Sequence, residues 1–355
     1  MQEPGKRIIY ADNIKVFLTC MVVAHHAGQA YGNTGGVWLV SDNPKLDFLS
    51  TFFFFNAAYM MGLFFFISGF FTYYSLNNKP ATKYLKDRLL RLGLPLLIFA
   101  FFIFGPLHYF LDNTRSNFFS FLARLHFDHP PLSLGHLWFT ASLLAYSLIY
   151  VLITKALNIR SDFSGTFKAW YPIIYLLILI PVNVLIRQTY PIDSWTTWII
   201  PIEVAHLPQY LSLFFLGALF NKTKWLETMK PIISFSYLLA GLLIFIYKES
   251  IYQHLPGLWS ESAIESFLCV GLSLGFLSLF KLMLNTSNRL TRYLSDNSYG
   301  IYLFHLLIVA ALQLLLLNIN LPSITKFATV TILGIIFSGI LTSALRKSKF
   351  LRKII

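Results

Sequence analysis

The sequence predicts an all-α, polytopic integral membrane protein with about ten transmembrane helices and both termini in the cytoplasm. Three observations carry that expectation. Of its residues 56% are hydrophobic and only 12% charged, about half the charged share of an ordinary soluble domain. The apolar residues gather into runs close to the ~20 residues that a bilayer core demands. Lysines and arginines fall in alternate gaps between those runs, as cytoplasmic loops require.

The runs cover residues 14–31, 57–76, 92–111, 137–156, 170–186, 207–220, 231–247, 262–284, 298–317 and 327–345. Pro181 falls inside the fifth and is expected to kink it. Lys6 and Arg7 precede the first run. Lys79, Lys83, Lys86, Arg88 and Arg91 precede the third. Lys155, Arg160 and Lys168 precede the fifth, Lys222, Lys224 and Lys230 the seventh, and Lys281, Arg289 and Arg292 the ninth. The tail holds Arg346, Lys347, Lys349, Arg352 and Lys353. The opposite side keeps only Lys45, Arg115, Arg124, Arg187, Lys248 and Lys326. The net charge of +13 is therefore mostly topology, and nucleic acid is not an expected partner.

The two cysteines, Cys20 and Cys269, lie in apolar runs and read as packing residues, so no metal framework is expected. The first run follows a short basic head, yet it holds ionisable residues and lacks a small-residue cleavage site. It reads as a retained helix rather than a signal peptide. Residues 32–56 end in the aromatic run Phe52–Phe55, read as an outward extension of the second helix or an interfacial segment. Residues 112–136 contain FFSFLARLHF, a candidate amphipathic surface segment. Without repeats or low-complexity linkers, residues 1–355 read as one transmembrane domain.

Ionisable residues inside such spans are costly and point to function. Lys15 and His26 lie eleven apart, close to one helical face and about 16 Å apart along the axis. His25 is rotated from His26 by about 100°. A neutral imidazole can take a proton from a hydroxyl, so His26 is the candidate base. His305, in NSYGIYLFHLL, enters the ninth span to a comparable depth. Glu265 is an intramembrane carboxylate near the outer end of the eighth span. Glu203 and His206 form an outer cluster before the sixth, and His136 and Trp138 open the fourth. Arg88 and Arg91 lie three apart, on one face, at the cytoplasmic mouth, where arginine forks suit phosphate oxygens. Ser68 and Gly69 interrupt the dense aromatics of GLFFFISGFF and permit close helix approach. No Walker A loop, HExxH or GxSxG is found.

Asp12, Lys15 and His26, followed by FFFISGFF, RLLRLGLP, HLWF, LFFLGALF and NSYGIYLFH in that order, resemble the membrane acyltransferase-3 family along nearly the whole chain. That family includes bacterial O-antigen and peptidoglycan O-acetyltransferases and a glucan-succinylating branch. Lys15 stands where the family pattern has arginine, which keeps the charge and loses the bidentate fork. The resemblance implies a cell-membrane O-acyltransferase that moves an acetyl or succinyl group from cytoplasmic acyl-CoA. The acceptor would be a hydroxyl of an extracytoplasmic glycan or lipid-linked sugar. It implies no tightly bound cofactor and no metal. Lys15, Arg88 and Arg91 would hold the donor. His26, assisted by His305 or Glu265, would carry the chemistry, with His136, Trp138, Glu203 and His206 on the acceptor side. Buried histidines among many helices also suit a proton-coupled exporter of a sugar or lipid, the competing expectation.

Overall fold

In hydrocarbon every backbone N–H and C=O must be paired within the chain, and long apolar runs do this as helices. The computed structural model describes residues 7–33, 38–111, 117–125, 134–156, 165–197 and 200–355. A helix stands at each of the predicted runs. Among the described residues six are long and apolar enough to cross a membrane. They are α2 (Phe48–Asn78), the composite third helix (Ala81–Leu107), the fourth (Gly135–Ala156), α13 (Gly257–Met283), α14 (Arg289–Leu316) and α15 (Ser323–Leu345). A bent pair, α11 (Pro231–Ile246) with α12 (Lys248–His254), makes a seventh if taken as one span. The other predicted spans are α1 (Ile9–Gly28), α8 (Tyr171–Arg187) and α9 (Leu207–Thr223). These are shorter or more polar, and length and apolarity alone do not assign them as crossings.

Phe52–Phe55 belong to α2, which begins at Phe48 and so lengthens the second predicted span at its N-terminal end. Pro181 lies inside α8 without ending it. Part of FFSFLARLHF forms α6 (Phe118–Ala123), with the Asn117 side chain capping its first turn. Lys6, Arg115 and Arg160, which enter the charge pattern, lie outside the described residues. One departure from all-α is a small antiparallel hairpin, β1 (Trp195–Thr197) with β2 (Pro201–Glu203), which pairs Trp195 with Glu203.

The third helix shows how one residue shapes a site. It begins as α3 (Ala81–Arg88) and widens to π geometry over Leu89–Gly93. Pro95 has no N–H to give the carbonyl four residues earlier. That carbonyl, of Arg91, accepts the Tyr299 hydroxyl at 2.6 Å instead. The widened turn carries Arg91 and ties the third helix to α14.

α1 is surrounded by α2, α13, α14 and α15. α2 packs most extensively on α9, and glycines permit it. A Cβ on Gly69 would meet the Phe214 carbonyl oxygen at 1.8 Å, and one on Gly217 would meet the Phe66 oxygen at 1.9 Å. Two backbones therefore touch reciprocally, the small-residue packing that joins helices in lipid. Gly217→Val should force α2 and α9 apart and lower stability by about 1–3 kcal/mol or more. The expected readout is a lower thermal midpoint in detergent, and an unchanged midpoint would refute the contact.

Outward faces of α7 (Trp138–Ala156), α8, α11, α14 and α15 present residues such as Leu152, Leu177, Ile232, Leu315 and Ile336. Bare apolar surface on this scale suits lipid rather than water.

Candidate active site

The histidines meet where α1, α14 and the start of α7 converge. His26 lies with its ring centroid 5.2 Å from that of His305, and His305 lies 4.8 Å from His136. His305 is fully buried and His136 nearly so. The depth match of His26 and His305 is thus a contact in space. His136, expected on the acceptor side, joins the same cluster. His25 turns away and packs edge-on against Phe53 at 4.9 Å, as its rotation on the helix requires.

The hydrogen bonds define the tautomers. His305 Nδ1 donates to the Tyr302 carbonyl at 2.7 Å, and His136 Nε2 donates to the Leu303 carbonyl at 3.2 Å. A carbonyl can only accept, so each ring holds its proton there. His305 Nε2 and His136 Nδ1 are left as buried lone pairs without a partner among the described residues. His26 Nδ1 donates to Gln29 Oε1 at 2.7 Å, which leaves Nε2 as its basic nitrogen. None of the three rings is paired with a carboxylate among the described residues. The cluster therefore presents acceptor nitrogens and few donors. A hydroxyl is the kind of group such a cluster can hydrogen-bond, and His26 Nε2 the kind of atom that can deprotonate it.

Glu265 was expected beside His26, and the structure gives it different partners. Its carboxylate lies 2.6 Å from Arg187 Nη2 and 2.8 Å from His206 Nε2. His206 Nδ1 lies 2.8 Å from Glu203, whose other oxygen accepts the Asp193 N–H at 2.8 Å. The four side chains form a buried chain of alternating charge. Burial alone would lower the His206 pKa, but the Glu265 and Glu203 carboxylates outweigh it and raise it above the ordinary imidazole range. Sequence depth put Glu265 and His26 in one membrane; it could not give the azimuth that sends Glu265 toward α8 and α9. From this chain a row of rings runs outward: His206 stacks on Tyr210 at 5.5 Å, Tyr210 on Trp138 at 5.8 Å, and Trp138 meets Trp195 at 5.4 Å. Trp195 is 45% exposed.

At the other end of α1 a cleft of about 340 Å³ opens, lined by Arg7, Asp12, Lys15, Phe71, Tyr74, Arg91, Ser295, Asp296 and Arg346. Asp12 bridges Arg7 at 2.9 Å and Lys15 at 2.6 Å, and Arg7 also reaches Asp296 at 3.0 Å. Two of the four cations are thus held by carboxylates. Arg91 and Arg346 have no carboxylate partner among the described residues. Arg88 stands apart from the lining, its Nε donating to Tyr84 Oη at 3.0 Å and its Nη2 to Thr72 Oγ1 at 3.1 Å. Arg7 and Arg346 were missed as cleft residues because tails near a membrane surface carry basic residues for topology alone. Among the described residues no group of three His, Cys, Asp or Glu side chains could hold a metal.

Comparison with known proteins shows the family. Glucans biosynthesis protein C of Escherichia coli O17:K52:H18 (strain UMN026 / ExPEC) is 25% identical over 295 residues, 74% of this chain and 75% of that protein. The protein of the same name from Escherichia coli O157:H7 (strain EC4115 / EHEC) matches at the same identity and coverage, 25% over 295 residues. Its namesake in Shigella dysenteriae serotype 1 (strain Sd197) is 26% identical over 169 residues, 46% of this chain and 43% of that protein. No solved structure matches. The acyltransferase domain of the acyltransferase-3 family matches residues 8–343, so the chain belongs to that family and is a multi-pass membrane O-acyltransferase.

Proposed function

We propose that the protein transfers an acetyl or succinyl group from cytoplasmic acyl-CoA to a hydroxyl of an extracytoplasmic glycan or lipid-linked sugar. The observation that carries this is a single helix with two sites. α1 holds Lys15 in the cationic cleft and His26 in the histidine cluster, about 16 Å apart along its axis. That span is comparable to a pantetheine arm, which must separate phosphates from thioester. Ten crossings with both termini cytoplasmic would put the cleft on the donor's side.

In this reading Arg91 and Arg346 meet the donor phosphates, with Lys15 and Arg7 behind them, and Arg88 supports the helix that carries Arg91. The acceptor hydroxyl binds beside His26. Its oxygen attacks the thioester carbonyl as His26 Nε2 takes the hydroxyl proton. The new C–O bond forms, the C–S bond breaks, and the proton passes to the departing thiolate. The rings of Trp138 and Trp195 offer flat apolar surface to a sugar on the outer side. The curated relatives are named for glucan biosynthesis, which favours a glycan acceptor. No tightly bound cofactor is required, and the whole chain acts as one unit.

The test is mass spectrometry of surface glycans from cells with and without the gene. An acyl mass that disappears on deletion and returns with the wild-type gene is the expected result. No difference in any glycan or lipid-linked sugar would overturn the proposal.

A further inference from the structure

The C-terminal carbonyls of a helix have no intrahelical donor and must find one elsewhere. α1 ends at Gly28, so His26 lies in its last turn. The missing donor comes from α14. Gln313 Nε2 donates to the Ala27 carbonyl at 3.0 Å and the His26 carbonyl at 3.2 Å. The same amide's Oε1 accepts the indole N–H of Trp38 at 2.8 Å. These partners admit only one orientation of the amide, since carbonyls accept and an indole N–H donates. Gln313 is 1% exposed, so losing either bond would strand a buried polar group.

Trp38 in turn lies nearly parallel on the His26 ring, with centroids 5.2 Å apart and an interplanar angle of 17°. The segment that carries Trp38 is anchored on several sides. Asp42 pairs with the buried Lys326 at 2.7 Å, and Ser323 Oγ donates to the Pro44 carbonyl at 2.7 Å. Lys45 Nζ donates to the Ala30 carbonyl at 2.9 Å, and the Leu46 N–H to the Tyr31 carbonyl at 2.7 Å. His26 is thus gripped through its backbone by Gln313 and through one ring face by Trp38, while Gln313 joins the two grips.

We propose that Gln313 and Trp38 are positioning residues that hold the His26 imidazole in register and screen one of its faces from water, so that the acyl group goes to the glycan hydroxyl rather than to hydrolysis. This rests on the acyl-transfer reading above. In the competing reaction a water oxygen attacks the thioester carbonyl, the C–S bond breaks, and the products are the free carboxylic acid and the CoA thiol. Positioning faults of about 1 Å can cost about 10²-fold in rate, and water exclusion suppresses such side reactions.

The experiment uses the full chain in proteoliposomes, with labelled acyl-CoA and the glycan acceptor found by the mass spectrometry above. Acylated glycan and free acid are counted together. Trp38→Ala and Gln313→Leu should lower the transfer kcat by about 10- to 100-fold, raise the share of free acid severalfold, and leave KM for acyl-CoA within about twofold. Trp38→Phe, which keeps an aromatic face for His26 while losing the N–H and the second ring of the indole, should restore most of the partition toward glycan. If Gln313→Leu unfolds below the assay temperature, the loop variants Trp38→Ala and Trp38→Phe decide. Variants with a wild-type thermal midpoint, kcat and partition would overturn the proposal and leave acyl transfer standing. A wild-type protein that acylates no glycan would overturn both.

Discussion

His26→Ala should abolish glycan acylation while the protein still accumulates in the membrane at normal levels. Among the described residues the His26 side chain makes one hydrogen bond, to Gln29. It is only partly buried, and its ring neighbours His305 and Trp38 keep their own anchors on the Tyr302 carbonyl and Gln313. Little of the fold therefore depends on this side chain. Under the proposed mechanism the chemistry depends on it far more, because the proton of an alcohol must leave as its oxygen attacks. A positioned base contributes about 10²–10⁴-fold, and the loss of transfer should fall in that range. His305→Ala should reduce transfer less, since the His305 proton is committed to a backbone carbonyl and its free nitrogen can only accept. The measurement is acyl transfer per folded molecule, with membrane level by immunoblot and folding by thermal midpoint. Full glycan acylation by His26→Ala at normal level would remove His26 from the reacting atoms.

The pairing of Lys15 with His26 was legible because helical periodicity converts an eleven-residue spacing into a shared face and a known rise. Depth was legible too, and the rings it matched, His26 and His305, are neighbours in space. Azimuth was not. His136 begins the fourth span, and nothing in HLWF says that its ring turns inward onto His305 rather than outward to the acceptor. Gln313 was invisible for a related reason: a lone glutamine in ALQLLLL reads as a tolerated polar residue until the end of another helix is seen to need donors. The cleft was half legible. Arg91 and Lys15 were found through motif and topology. Arg7 and Arg346 were counted only as topological charge, because a positive-inside excess conceals whichever of its members also bind anions.

Glu265→Gln should cost stability rather than chemistry. Glu265 sits between Arg187 and His206 at 2.6 and 2.8 Å, and Glu203 is the only other carboxylate ion-paired with His206 among the described residues. The buried set balances two cations with two anions. Removing one anion leaves an uncompensated buried charge, which costs about 3–5 kcal/mol. The expected result is a markedly lower thermal midpoint and less protein in the membrane, with transfer per folded molecule nearly unchanged. The double variant Arg187→Met with Glu265→Met removes one charge of each sign and leaves His206 on Glu203. It should recover much of the loss, so the two changes should couple strongly in a double-mutant cycle. The sign of the pH effect follows from His206. Its pKa is raised on folding, so its contribution is complete below the ordinary imidazole value of about 6.5. That contribution fades as pH climbs through the raised folded value. Wild-type melting should therefore weaken on the alkaline side. Glu203→Gln, which removes the other carboxylate, should bring that weakening to lower pH. A normal midpoint for Glu265→Gln with transfer down about 100-fold would instead return Glu265 to the reacting atoms.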